Sequence, residues 1–311
     1  MEWSLKKAAR SIKWWLRQTI GAIAGRIAVL LMHAIRRGNR VRVARRTGRL
    51  LRGIGPWLPE HRVARANLKA AFPGKPADEI DKILSGSWDN LGRVAAEFAF
   101  LDRLRIWRPN DPLPPDIVFD EGDIRRFEEM RTASRPTALF AAHLGNWELP
   151  ALVAAQAGVE TAVLYRPPSL REVANAVLEI RKGSMGTLIP SGFDAPFRLS
   201  GALARGSNVG MLIDQHDHRG VDVSFFGRKC KVSSLLAHLA RNTGCNVRGI
   251  RIVRLADGNH FRGEMTEPLD LPLDAENRVD ILRTMQSATS IIEGWVREHP
   301  DQWLWQHRRW R

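Results

Sequence analysis

Cysteine and tyrosine are almost missing from this chain, whose 311 residues hold two Cys and one Tyr. Cys230 and Cys245 stand 15 apart and form no C-x2-C pair. That excludes a disulfide framework or a cysteine zinc ribbon and points to a reducing compartment, with both thiols structural. There is no G-x-S-x-G elbow, so the serine acyl-enzyme of the α/β hydrolases is not expected. An RNP-like aromatic signature and zinc-finger spacing are also lacking, and nucleic acid is not expected as a partner. No internal repeat or low-complexity linker divides the chain, and no small-residue cleavage site follows its apolar N-terminal run. One domain with an N-terminal arm and no cleaved leader is the reading.

Acidic residues are scarce at one end. Residues 1–52 carry fourteen Lys or Arg against Glu2 alone, a charge of +13, whereas the whole chain carries +15. The asymmetry describes a basic arm, 1–52, on a nearly neutral domain, 53–311, and such an arm suits an anionic surface. Three of the eleven Trp, at positions 3, 14 and 15, lie inside the arm and favour the headgroup zone of a bilayer. The stretch IGAIAGRIAVLLMHAI, residues 20–35, has Arg26 near its middle. As a helix it spans about 24 Å, short of a hydrocarbon core of about 30 Å. Spanning the membrane, lying in one leaflet and packing against the domain all stay open. Basic flanks on both sides fit two cytoplasmic ends.

The first third reads as helical, through LPEHRVARANLKAAFPG and PADEIDKILSGSWDNLGRVAAEFAF. From Pro136 the rhythm changes. TALFAA, TAVLY, GTLIP and NVGMLID read as short strands with helices between them, the signature of β-α-β units. VDVSFF and VRGIRIVRL flank a helix at SSLLAHLARNTG, HFRGEMTEPL is a late strand, and a long helix covers residues 276–298. The expected fold class is α/β, a mostly parallel sheet flanked by helices with a helical N-terminal part.

The stretch AAHLGNWELP, residues 141–150, places His143 five positions before Glu148. Chance alone supplies about one such H-x4-[D/E] match in a chain of this composition. On a continuous helix, five positions turn about 140°, so the two side chains point apart. A functional pair therefore needs a strand-to-helix turn: His143 at the strand end, Gly145 and Asn146 in the bend, Glu148 in the first helical turn. The carboxyl ends of parallel strands are where such sheets bind ligands. The alternative is a satisfied core histidine beside a carboxylate favoured by the helix dipole. His216 and His218 in DQHDH suggest a metal, but no third ligand follows at standard spacing, and none is expected.

YRPP (165–168), DQ (214–215), VSFFGRK (223–229) and QWLWQHRRW (302–310) follow in order after a basic, apolar N-terminus. In this arrangement the chain resembles the lipid A biosynthesis acyltransferases, the late enzymes that add lauroyl or myristoyl chains to a lipid A precursor in Gram-negative bacteria. The resemblance implies a glycerol-phosphate-acyltransferase-like fold, a catalytic dyad of His143 and Glu148, and an acyl carrier protein or acyl-CoA thioester as co-substrate, with no cofactor. It implies a place on the cytoplasmic face of the inner membrane.

In the implied mechanism, His143 takes the proton of an acceptor hydroxyl and Glu148 holds the imidazole tautomer, with no covalent acyl-enzyme. Asn146, Trp147, Arg166, Arg181, Asp214, Gln215 and Arg228 are expected to bind substrate, and Asp214 with Gln215 is an alternative orienter of the dyad. Trp303, Trp305 and Trp310 are expected to pack on the domain, leaving Arg308, Arg309 and Arg311 to water or lipid phosphate. Two other readings are an acyltransferase on another glycolipid or glycerol-phosphate acceptor, and a non-catalytic membrane-binding protein.

Overall fold

The computed structural model describes residues 22, 25–27, 29–106, 112–167 and 171–310. Trp3, Trp14, Trp15, Pro168 and Arg311 lie outside the described residues, as does much of the apolar stretch before residue 29. Among the described residues no helix is long and apolar enough to cross a membrane.

Helical residues 29–36 lead into α1 (Arg40–Ile54), whose N-cap Asn39 accepts a hydrogen bond from the Arg42 amide. Helix α2 (Pro59–Ala71) opens on a proline, and α3 (Ala77–Glu97) carries Asp78 and Glu79 in its first turn, where the helix dipole favours them. Ile80, Ile83, Leu84 and Trp88 recur at helical spacing and are buried. Helix α1 runs through position 52 and packs closely on α3. A Cβ at Gly92 would lie 2.5 Å from the Thr47 carbonyl oxygen, so only glycine allows this crossing.

The sheet then forms. Its strands are β1 (Ile117–Phe119), β2 (Thr137–Ala141), β3 (Thr161–Tyr165), β4 (Thr187–Pro190), β5 (Asn208–Leu212), β8 (Asn246–Arg254) and β9 (Phe261–Met265), and their spatial order is β1-β9-β8-β2-β5-β3-β4. Strands β8, β2, β5, β3 and β4 are mutually parallel; β9 runs antiparallel to β8, and β1 pairs with β9. Every residue of β2 is buried, which explains its unbroken apolar run. The connecting helices are α4 (Glu121–Thr132), α5 (Leu149–Gln156), α6 (Arg171–Lys182), α7 (Ala195–Ala204), α8 (Leu235–Thr243) and α9 (Ile281–Glu298).

The strand expected at VDVSFF belongs elsewhere. It extends over β6 (His216–Phe225) and pairs antiparallel with β7 (Arg228–Val232) as a separate two-stranded unit. Strand β7 escapes a sequence reading because RKCKV is mostly charged, with only Cys230 and Val232 turned inward. In the main sheet, the carboxyl ends of β2, β5, β3 and β4 lie along one edge, and the candidate site occupies it.

Candidate active site

Strand β2 ends at Ala141, and the chain turns at His143–Glu148 before α5. Gly145 adopts φ +59°, and a Cβ there would sit 2.0 Å from the Ile252 carbonyl oxygen. Any other residue at this position would clash with β8 and strain the turn. Backbone contacts on both sides fix it: Gly145 N–H donates to the Gln302 carbonyl (3.1 Å), Asn146 N–H to that of Ile252 (3.1 Å), and Leu304 N–H to that of His143 (3.0 Å).

Beneath the turn lies a buried polar network. Asn90 Nδ2 donates to the carbonyls of Gly145 (2.9 Å) and Gln302 (3.0 Å), and Asn146 Nδ2 donates to Glu97 Oε2 (2.9 Å). Glu97 is clasped by Arg254 at 2.6 and 2.8 Å, and both side chains are almost wholly buried. Arg254 Nε also donates to Asn90 Oδ1 at 3.1 Å. A buried ion pair is tolerated when its remaining donors and acceptors are met, and here those partners are the residues that shape the turn.

His143 points to the end of the neighbouring strand β5. Its Nδ1 lies 2.8 Å from Asp214 Oδ1, and its backbone N–H donates to Asp214 Oδ2 at 2.9 Å. Trp303 Nε1 donates to the same Oδ2 at 2.8 Å. Burial by itself pushes the Asp214 carboxyl up, but the charge of His143, its hydrogen bonds and the Trp303 N–H outweigh that and hold it down at about 2. An ionised carboxylate only accepts, so Nδ1 carries a proton, and in the neutral imidazole the lone pair is then on Nε2. Gln215 Nε2 lies 3.1 Å from that nitrogen and caps it. The Trp147 ring centroid is 5.4 Å from that of His143.

The tautomer-holding contact expected of Glu148 is therefore corrected: Asp214 makes it. Glu148 occupies the N-cap position of α5 in a helical conformation and faces Arg181 of α6, with contacts of 2.7, 2.9 and 3.1 Å. Arg181 in turn lies over the rings of Phe98 (5.4 Å) and Tyr165 (5.6 Å). Of the other expected site residues, Asn146 is fully buried in the turn, Gln215 touches His143, and Arg166 is exposed just after β3. Arg228 stands on the β6–β7 hairpin, 5.1 Å from the Trp310 ring, and reaches Asp214 through Trp310, Phe225 and Trp303.

The tail departs from expectation at one residue. Trp303 and Trp305 are buried as expected and Arg308 is exposed, but Arg309 is only 1% exposed, lying over the Phe225 ring at 4.9 Å. Sequence reasoning missed the roles of Asn90, Glu97, Arg254 and Gln302; the available signal is isolated, with Asn90 and Glu97 seven apart on the buried face of α3 and Arg254 ending the otherwise buried β8. Both thiols are free and buried, and burial pushes each above its ordinary range. No group of three or more potential metal ligands occurs among the described residues.

Fold and site define an α/β protein with a histidine–carboxylate pair at the carboxyl edge of a mostly parallel sheet, an arrangement suited to proton transfer with a bound substrate. The family model for bacterial lipid A biosynthesis acyltransferases matches residues 5–311. The chain belongs to that family and is an acyltransferase of lipid A biosynthesis. Two relatives are each 24% identical over 258 residues, covering 80% of this chain and 78% of their own: the lipid A biosynthesis palmitoleoyltransferase of Escherichia coli K12 and a lipid A biosynthesis acyltransferase of Shigella flexneri.

Proposed function

We propose that the protein transfers a fatty acyl chain from an acyl carrier protein thioester to a hydroxyl of a lipid A precursor, with His143 as general base. The observation that carries this reading is the imidazole itself: Nδ1 is held by a buried carboxylate, and Nε2 is presented at the carboxyl edge of the sheet. The acceptor hydroxyl replaces the Gln215 amide on Nε2 and gives up its proton as its oxygen attacks the thioester carbonyl. The tetrahedral intermediate then collapses; the carbon–sulfur bond breaks, and the thiolate leaves with the proton from the imidazolium. A thiol pKa near about 8.5 makes this departure easy. No enzyme nucleophile is required, which accords with two buried, poorly ionised cysteines.

Glu148 is a positioning residue that acts through Arg181, which it holds against Phe98 and Tyr165. Arg166 and Arg228 meet the phosphates of the acceptor, the former directly at the strand edge. A groove of about 840 Å³ between helical residues 29–36 and α6, walled by Val29, Leu30, Met32, Ala176 and Ile180, gives an acyl chain an apolar bed. The site follows the glycerol-phosphate-acyltransferase-like plan, with residues 53–311 as the acyltransferase domain. Residues 1–52 hold it on the anionic cytoplasmic face of the inner membrane.

The test is transfer from acyl carrier protein, loaded with chains of several lengths, to a tetraacylated precursor. Wild type transfers one chain, and His143→Ala loses the rate by about 10²–10⁴-fold while remaining folded. Unchanged transfer by His143→Ala would remove the base. Transfer to a glycerol-phosphate acceptor but never to the precursor would move the substrate assignment.

A further inference from the structure

We propose that Phe193 and Phe197 form a hydrophobic rim that dips into the lipid surface on the same sheet edge as the active site, at the end of β4, two strands beyond β5. The loop Ser191–Asp194 leaves the carboxyl end of β4 and enters α7, so it lies on the same sheet edge as His143 and Asp214. Its backbone is tied to the next strand end, because Ser191 N–H donates to the Tyr165 carbonyl at 2.7 Å. That bond sets the loop beside Arg166, the exposed cation after β3.

Both rings stand in solvent. Phe193 is fully exposed and Phe197 is 82% exposed. The helix dictates this for Phe197: Ala195, Leu199, Ala202 and Leu203 are the buried positions of α7, and Phe197 lies two residues from both Ala195 and Leu199, about 200° around the axis. Its side chain therefore has no place in the core. Two neighbouring aromatics exposed at a site edge call for a partner.

Lipid fits better than protein on two grounds. Two phenylalanines offer roughly 300–500 Å² in all, well below the about 800 Å² per partner of a stable protein interface. The flanking charges also suit headgroups: Arg166 is exposed, while Asp194 is partly neutralised by Arg198 at 3.7 Å. Phe beside Arg is the pairing that sits at the boundary between acyl chains and phosphates. The rim would open the site toward the leaflet that holds the acceptor. This rests on the lipid-acceptor reading above and adds where the enzyme meets the bilayer.

The experiment uses the full chain and an environment-sensitive fluorophore on Phe193→Cys, since Cys230 and Cys245 are buried and leave one reactive thiol. A Glu276→Cys control is exposed at the opposite, amino edge of the sheet, near where Asp274 pairs with Arg241 at the end of α8. With vesicles of phosphatidylethanolamine and phosphatidylglycerol, the 193 probe blue-shifts and brightens several-fold, and the 276 probe does not. The Phe193→Ser/Phe197→Ser variant partitions onto vesicles about tenfold less. It also loses transfer to a vesicle-embedded precursor in proportion, and matches wild type on detergent-dispersed precursor. A silent 193 probe overturns the rim, whether or not the protein binds vesicles; if transfer persists, the functional reading survives. A probe response to acyl carrier protein alone, or to self-association without vesicles, also overturns it. Insertion at 193 with no transfer to any acceptor supports the rim and sinks the functional reading instead.

Discussion

At the His143 end of the turn after β2, a carboxylate 71 residues away in sequence holds the imidazole; at the Glu148 end, the carboxylate nearest in sequence ignores the imidazole and holds an arginine. Both pairs are largely buried, with side-chain exposures of 15% and 2% for His143–Asp214 and 15% and 12% for Arg181–Glu148. The difference lies in what else touches each carboxylate. Asp214 receives the His143 amide and the Trp303 indole besides the ring, whereas Glu148 spends its oxygens on one guanidinium. Two adjacent parallel strands can aim their carboxyl-end side chains at one point, but a turn and a helix start send Glu148 elsewhere. Spacing along the chain is a poor guide to partnership where strands from distant positions adjoin.

This contrast breaks most sharply at Asp214. Asp214→Asn leaves an orienter that no longer carries charge, and transfer falls by about 10²–10⁴-fold in kcat, measured at saturating donor and acceptor. Stability carries a matching signature. The folded Asp214 carboxyl is held at about 2, below its ordinary 3.8, so its contribution is complete above pH 4 and is lost as pH falls from about 4 toward 2. Denaturant unfolding across that window shows a steeper decline for wild type than for Asp214→Asn. Next comes the network under the turn: Glu97→Ala strands a buried Arg254 and lowers stability by about 3–5 kcal/mol. Trp303→Phe removes one hydrogen bond to a buried charge, costing about 1.5–3 kcal/mol in transition-state stabilisation or folding. The smallest effect on kcat is at the other end of the turn, where Glu148→Gln releases Arg181 and raises KM for the acceptor more than it lowers kcat.

Much of the sheet was legible because central parallel strands are buried on both faces and read as apolar runs: TALFAA, TAVLY, GTLIP and NVGMLID each mark a strand. The charged hairpin strand β7 leaves no hydrophobic pattern, and the apolar β1, IVF, is only three residues long, too short for its period to be read. His143 and the bend at Gly145 and Asn146 were foreseen from the residues of the turn. Glu148 was the expected partner of His143 and Asp214 only an alternative, because period and spacing say nothing of which strand lies beside β2. The order β8-β2-β5 places Asp214 there, and order is set by the packing of the whole chain. The buried Arg309 was misjudged for a related reason: an arginine at a chain end reads as solvated until the aromatic hairpin folds over it.

The central claim is that Asp214, and not Glu148, makes His143 a base. The most direct test is kcat against pH for wild type, Asp214→Asn and Glu148→Gln, with saturating acyl carrier protein donor and lipid A precursor. The account predicts that Glu148→Gln keeps the wild-type profile and most of its kcat, whereas Asp214→Asn loses most of its rate. A Glu148→Gln enzyme as inactive as one without His143, beside an Asp214→Asn enzyme with an ordinary profile, would contradict it.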